Sequence, residues 1–146
     1  MANVPNRDDW GDLSDFDVAY AYEKFGGRSR SEIQLEFAKN VVPCASDIAA
    51  MPPVPFQYYL LGLGDYVLSE NYGRQSPSDV ADSFIWVVEA RAEDDPATVR
   101  VIINEINAVL DFLTENQSRL EICEEIYGDL GQRTEAIRIM ATEPGE

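Results

Sequence analysis

The stretch Met51–Ser69, MPPVPFQYYLLGLGDYVLS, constrains the fold more than any other part of the chain. Pro52, Pro53 and Pro55 fix φ and lack an N–H, so within a helix they cause a clash and a lost hydrogen bond. The segment is therefore expected to begin as a stiff, Pro-rich extended arm, with Pro55 in the first turn of the helix that follows. Behind the prolines, Phe56, Tyr59, Leu60, Leu63, Tyr66 and Val67 recur with helical period and give one broad apolar and aromatic face. Gly62 and Gly64 each cost about 1 kcal/mol in a helix interior, which points to a second backbone passing close by or to an exposed kink. The stretch reads as the central helix of an all-α domain.

The flanking sequence repeats the helical signal. Ser14 with Asp17 resembles a capping box, and the helix it opens runs through Phe16, Ala19, Tyr20 and Tyr22 to Phe25, where Gly26-Gly27 stops it. Ser29 and Glu32 form a better capping box, followed by Ile33, Phe37, Ala38 and Val41 on one face; Pro43 ends or bends that helix. Residues 44–50 suggest a short helical turn. Ser76, Pro77 and Asp79 give the clearest start signal, for a helix carrying Val80, Phe84, Val87 and Val88, with Ile85 and Trp86 widening its apolar arc. Pro96 opens the most regular stripe, Val99, Ile102, Ile103, Ile106, Leu110 and Leu113, expected as one helix ending near Glu115–Ser118. Leu120, Cys123, Ile126, Tyr127 and Leu130 continue the spacing, and Ala136, Ile137 and Met140 make a final short helix. The expected fold is all-α: a compact single-domain bundle of six or seven helices with short antiparallel connections. Residues 1–13 are expected as a flexible or loosely docked arm, 14–141 as the helical domain and 142–146 as a frayed C-terminus.

Charge narrows the choice of partners. The chain has 27 acidic and 11 basic residues, a net charge of -16, with 11 acids and 5 bases up to Gly73 and 16 acids and 6 bases after it. Apolar residues nevertheless make up 45% of the 146, at periodic positions, so the chain can bury a core and is not expected to be disordered. An acidic surface repels phosphate backbones and anionic membranes and attracts basic proteins. Direct nucleic-acid binding is thus not expected, and no apolar run is long enough to span a membrane. Acidity that serves solubility or growth in high salt is the plainer alternative; Lys24 and Lys39 are the only lysines. No secretory signal precedes the chain, so a cytoplasmic protein with two inert, buried thiols, Cys44 and Cys123, is expected.

Catalytic motifs are sparse. The chain contains no histidine, which removes Ser-His-Asp and Cys-His sites, the H-E-x-x-H zinc helix and the E-x-x-H pairs of di-metal bundles. Gly62-Leu63-Gly64-Asp65 lacks the third glycine and the strand-to-helix context of a dinucleotide site. The acid clusters Asp8/Asp9/Asp12, Glu93/Asp94/Asp95 and Glu121/Glu124/Glu125 lack EF-hand spacing and read first as solvated faces. No catalytic residue, cofactor or metal is assigned.

The sequence is read as a non-enzymatic acidic protein-binding domain, in its most concrete form an immunity or antitoxin-type inhibitor that occludes a basic partner such as a co-encoded toxin. Glu121, Glu124, Glu125 and Asp129 are its candidate partner-facing carboxylates, with Trp10 or Tyr72 as a desolvated anchor. A self-associating structural or adaptor domain is one alternative. A carboxylate-based or metal-dependent enzyme is another.

Overall fold

Pro53, Pro77 and Pro96 each stand at the start of a helix in the computed structural model, which describes residues 3–142. The helices are α1 (Phe16–Phe25), α2 (Arg30–Lys39), α3 (Val41–Ala49), α4 (Pro53–Ser69), α5 (Pro77–Asp94), α6 (Pro96–Val101), α7 (Ile103–Glu115), α8 (Glu124–Tyr127) and α9 (Leu130–Thr142), preceded by a 3-10 turn over Arg7–Trp10. No strand occurs among the described residues, and the helices close around one continuous core. The architecture is an all-α, compact single-domain bundle.

Among the described residues, the expected six or seven helices become eight if α6 and α7 are counted together, and nine as segments. Two breaks account for much of the excess. Asn40, at φ -168 and ψ 107, is extended and separates α2 from α3. Pro43 falls in the first turn of α3 rather than ending α2, because the first N–H groups of a helix have no intrahelical acceptor to lose. At Ile102 the N–H bonds back to the Val99 carbonyl, three residues away, and the long stripe from Pro96 restarts as α7. The same logic corrects the Pro-rich extended arm. Only Pro52 is extended, at ψ 166; Pro53 and Pro55 lie inside the first turn of α4.

α4 is the centre of the bundle, packed against α2, α3, α5, α6 and α7. Eleven of its 17 residues are buried, Phe56, Tyr59, Leu60, Leu63 and Val67 completely. Its two glycines face side chains rather than another backbone. A Cβ on Gly62 would sit 3.6 Å from Ile33 and 3.7 Å from Arg30 of α2, whereas one on Gly64 would meet Val109 of α7 at 3.1 Å and Phe84 of α5 at 3.6 Å. The close fit of α7 therefore needs the glycine at 64 more than the one at 62.

The N-terminal segment, expected as flexible or loosely docked, is seated on this core through Trp10. Asn6 and Asp9 form a reciprocal capping box around the 3-10 turn, and the Trp10 ring packs edge-on to Tyr22 at 5.3 Å and against Tyr59 at 6.1 Å. The Tyr59 hydroxyl lies 2.8 Å from the Phe25 carbonyl and 2.7 Å from that of Arg28, so its proton serves the acceptors left at the end of α1. At the other end, Thr142 is the last residue of α9; the expected fraying of 143–146 falls outside the described residues.

Candidate functional site

Between α7 and α9 the chain makes a series of tight turns that bring acids to the surface. Glu121 adopts the left-handed conformation at φ 60, Cys123 is extended and Gly128 turns at φ 80, leaving only four residues for α8. Glu121, Glu124, Glu125 and Asp129 are all exposed, and Ile126 stands among them 74% exposed. The expected continuous helical stripe is therefore absent. Cys123 is exposed in this turn, correcting the expectation of two buried thiols; Cys44 is buried, and desolvation pushes its pKa up to about 11.

Two side chains hold this acidic ledge to α5. The Tyr127 hydroxyl is 3.0 Å from Ser78 Oγ. Arg133 of α9 donates to both carboxylate oxygens of Glu89, at 2.8 and 2.7 Å, to Asp82 at 3.0 Å and to the Tyr127 carbonyl at 2.6 Å. The bond to Glu89, and then that to Asp82, raise the Arg133 pKa further above its already high value. Asp129 accepts from the Gln132 N–H and so caps α9, while its side chain stays at the surface.

The two aromatic candidates lie elsewhere. Trp10 is 1% and Tyr72 7% exposed. Tyr72 gives its hydroxyl proton to the Val67 carbonyl and packs on Tyr66, and burial pushes its pKa up to about 12. Both rings face the core of the folded chain and offer no side-chain surface to a partner, and neither is joined to the ledge. An exposed aromatic group on α5, the helix that holds the ledge through Arg133, is Trp86, 45% exposed. It lines a groove of about 250 Å³ with Val42, Ala45 and Ser46 of α3 and Asp79, Asp82 and Ser83 of α5. The sequence carried a signal for it. Asp79, Asp82, Trp86 and Glu89 recur at spacings of three, four and three, so the indole lies within the polar stripe of α5 rather than at the edge of its apolar arc.

Basic side chains are largely committed within the molecule. Among the described residues, eight basic side chains, Lys24, Arg28, Arg30, Lys39, Arg91, Arg119, Arg133 and Arg138, form ion pairs with described carboxylates, and Arg100 donates to the Ala141 carbonyl. Arg91 is also held over the Phe56 ring at 4.2 Å while donating to the carbonyls of Ala49 and Met51. Among the described residues, no basic group forms an ion pair with Glu121, Glu124, Glu125 or Asp129. Nor do three or more Cys, Asp or Glu side chains converge there in a way that could hold a metal ion. No described helix is long and apolar enough to cross a membrane.

The fold and surface define an acidic, all-α single-domain bundle. No protein-family model, curated protein or solved structure matches the chain.

Proposed function

We propose that this chain is an acidic protein-binding domain that occludes a basic surface on another protein, in the manner of an immunity or antitoxin-type inhibitor. The observation that supports this most directly is the state of its charges. Its basic residues are mostly paired internally, while Glu121, Glu124, Glu125 and Asp129 are exposed without a basic partner among the described residues. Carboxylates in that state attract a basic protein over several ångströms and then pair with the lysines and arginines it uses to contact phosphate. Ile126, exposed among them, supplies apolar contact at the centre of the ledge.

The test is isothermal titration against the basic proteins encoded beside the gene, at low and moderate salt. The expected result is a stoichiometric complex that weakens by about tenfold or more as salt rises, and by about tenfold in the double variant Glu124→Lys/Glu125→Lys, since juxtaposed like charges repel. Absence of any complex with such a protein at low salt would rule out the occlusion reading. A second reading, self-association, draws on Phe16 and Tyr20, 90% and 59% exposed one turn apart on α1. Sedimentation of the wild type and of Phe16→Ser distinguishes it, because a dimer through α1 dissociates in the variant.

A further inference from the structure

We propose that the groove between α3 and α5 is an arginine subsite, in which a guanidinium from a basic protein stacks on Trp86 and pairs with Asp79. This rests on the reading above as a binder of basic proteins and specifies where one side chain of the partner docks. Three features of the groove suit that ligand. The Trp86 indole is half exposed beside Val42, itself 52% exposed, so part of its apolar π surface stands open to solvent. Asp79 is exposed and, among the described residues, accepts only a long hydrogen bond from the Tyr127 hydroxyl at 3.4 Å, leaving the carboxylate able to accept from an incoming donor. The hydroxyls of Ser46 and Ser83 line the same groove and make no hydrogen bond among the described residues.

The molecule already binds its own arginines in these two ways. Arg133 forks onto Glu89 and reaches Asp82 along the same stripe of α5, and Arg91 lies 4.2 Å over an aromatic ring. A planar guanidinium has both a face to stack on the indole and edge N–H groups to donate to a carboxylate lining the same groove. A lysine ammonium is a compact, strongly hydrated point charge without a planar face to stack. Charge complementarity alone would not separate the two cations; the Trp86 face does.

The experiment is an amide-resolved NMR titration of the full chain at low salt with two short, blocked peptides that differ only in carrying arginines or lysines between glycines. The expected result is movement of the Trp86 indole N–H and of the amides of Val42, Ser46, Asp79 and Ser83, with the arginine peptide about three- to tenfold tighter. Trp86→Ala, at a surface position, should abolish that preference, and Asp79→Asn should weaken the arginine peptide about threefold; the spectra themselves report whether each variant is folded. If the peptides shift the α8 ledge or the whole acidic surface and leave the groove unmoved, the subsite is wrong and the binding of basic partners stands. Equal affinities that Trp86→Ala leaves unchanged would likewise overturn it. Failure of both peptides to bind overturns the subsite, and the titration against whole basic proteins then decides the broader reading separately.

Discussion

Glu36 illustrates how single residues offset the cost of so much negative charge. Its carboxylate accepts from Arg28 at 2.9 Å, with Lys39 at 3.7 Å. The Arg28 hydrogen bond holds its pKa below the ordinary 4.5 against an opposing contribution from burial, and the charges of Lys39, Arg28 and Lys24 add to the lowering. A folded-state pKa below the unfolded one means stability that is present above about pH 4.5 and lost as pH falls through the folded value. Glu36→Gln should therefore destabilise the protein by about 0.5–1 kcal/mol near pH 7, as expected of a partly exposed pair. In urea denaturation the gap between wild type and variant should close as the pH is taken below 4.5. A gap that stays constant with pH would mean that the ion pair contributes nothing. Helical spacing places Glu36 on α2 but not against Arg28, because Arg28 lies just ahead of the Ser29 cap and its side chain reaches along α2, past the Glu32 carbonyl, to meet Glu36. Trp10 shows the same dependence on packing: expected as an anchor for a partner, its ring is instead buried against Tyr22 and Tyr59 of its own chain.

At the scale of elements, α4 was the most legible and its glycines the least. A helical period of aromatic and aliphatic residues must be buried somewhere, and on α4 it is. What the glycines are for depends on which neighbours approach, and those come from three other helices. The geometry predicts different outcomes for the two. Gly62→Ala meets only ordinary contacts at 3.6–3.8 Å and should stabilise the protein by up to about 1 kcal/mol through helix propensity. Gly64→Ala brings a methyl group to 3.1 Å from a Val109 methyl, which must give by a few tenths of an ångström within the packed core, so the propensity gain should be cancelled or reversed. Thermal unfolding of the two variants checks this; equal shifts would mean that the α4–α7 contact is soft. Leu120, Cys123, Ile126 and Leu130 keep helical spacing and so predict a continued stripe where the α8 ledge stands. The chain breaks it with a left-handed Glu121 and an extended Cys123, held by Tyr127 and Arg133 against α5, contacts that local period does not encode.

For the whole molecule, a net charge of -16 on 146 residues repels itself in the compact state more than in the expanded one. Raising neutral salt from about 0.05 to 0.5 M shortens the Debye length from roughly 14 to 4 Å, so Tm should rise over that range. A flat or falling Tm would show that the surface ion pairs, which salt weakens, outweigh the repulsion. The helical class, the helix starts at Ser29, Ser76 and Pro96, the central position of α4 and the sign of the surface charge are all readable from the residues alone. Each follows from local rules: backbone φ, capping chemistry, a period that matches 3.6 residues per turn, and a count of charges. Helix packing, by contrast, sets which described carboxylates meet a basic partner, turns Tyr72 inward while Trp86 lines a groove, and makes the α8 turn an acidic ledge. Those outcomes depend on pairings across the chain, such as Arg133 with Asp82 and Glu89 more than forty residues earlier, which exist only once the helices have packed.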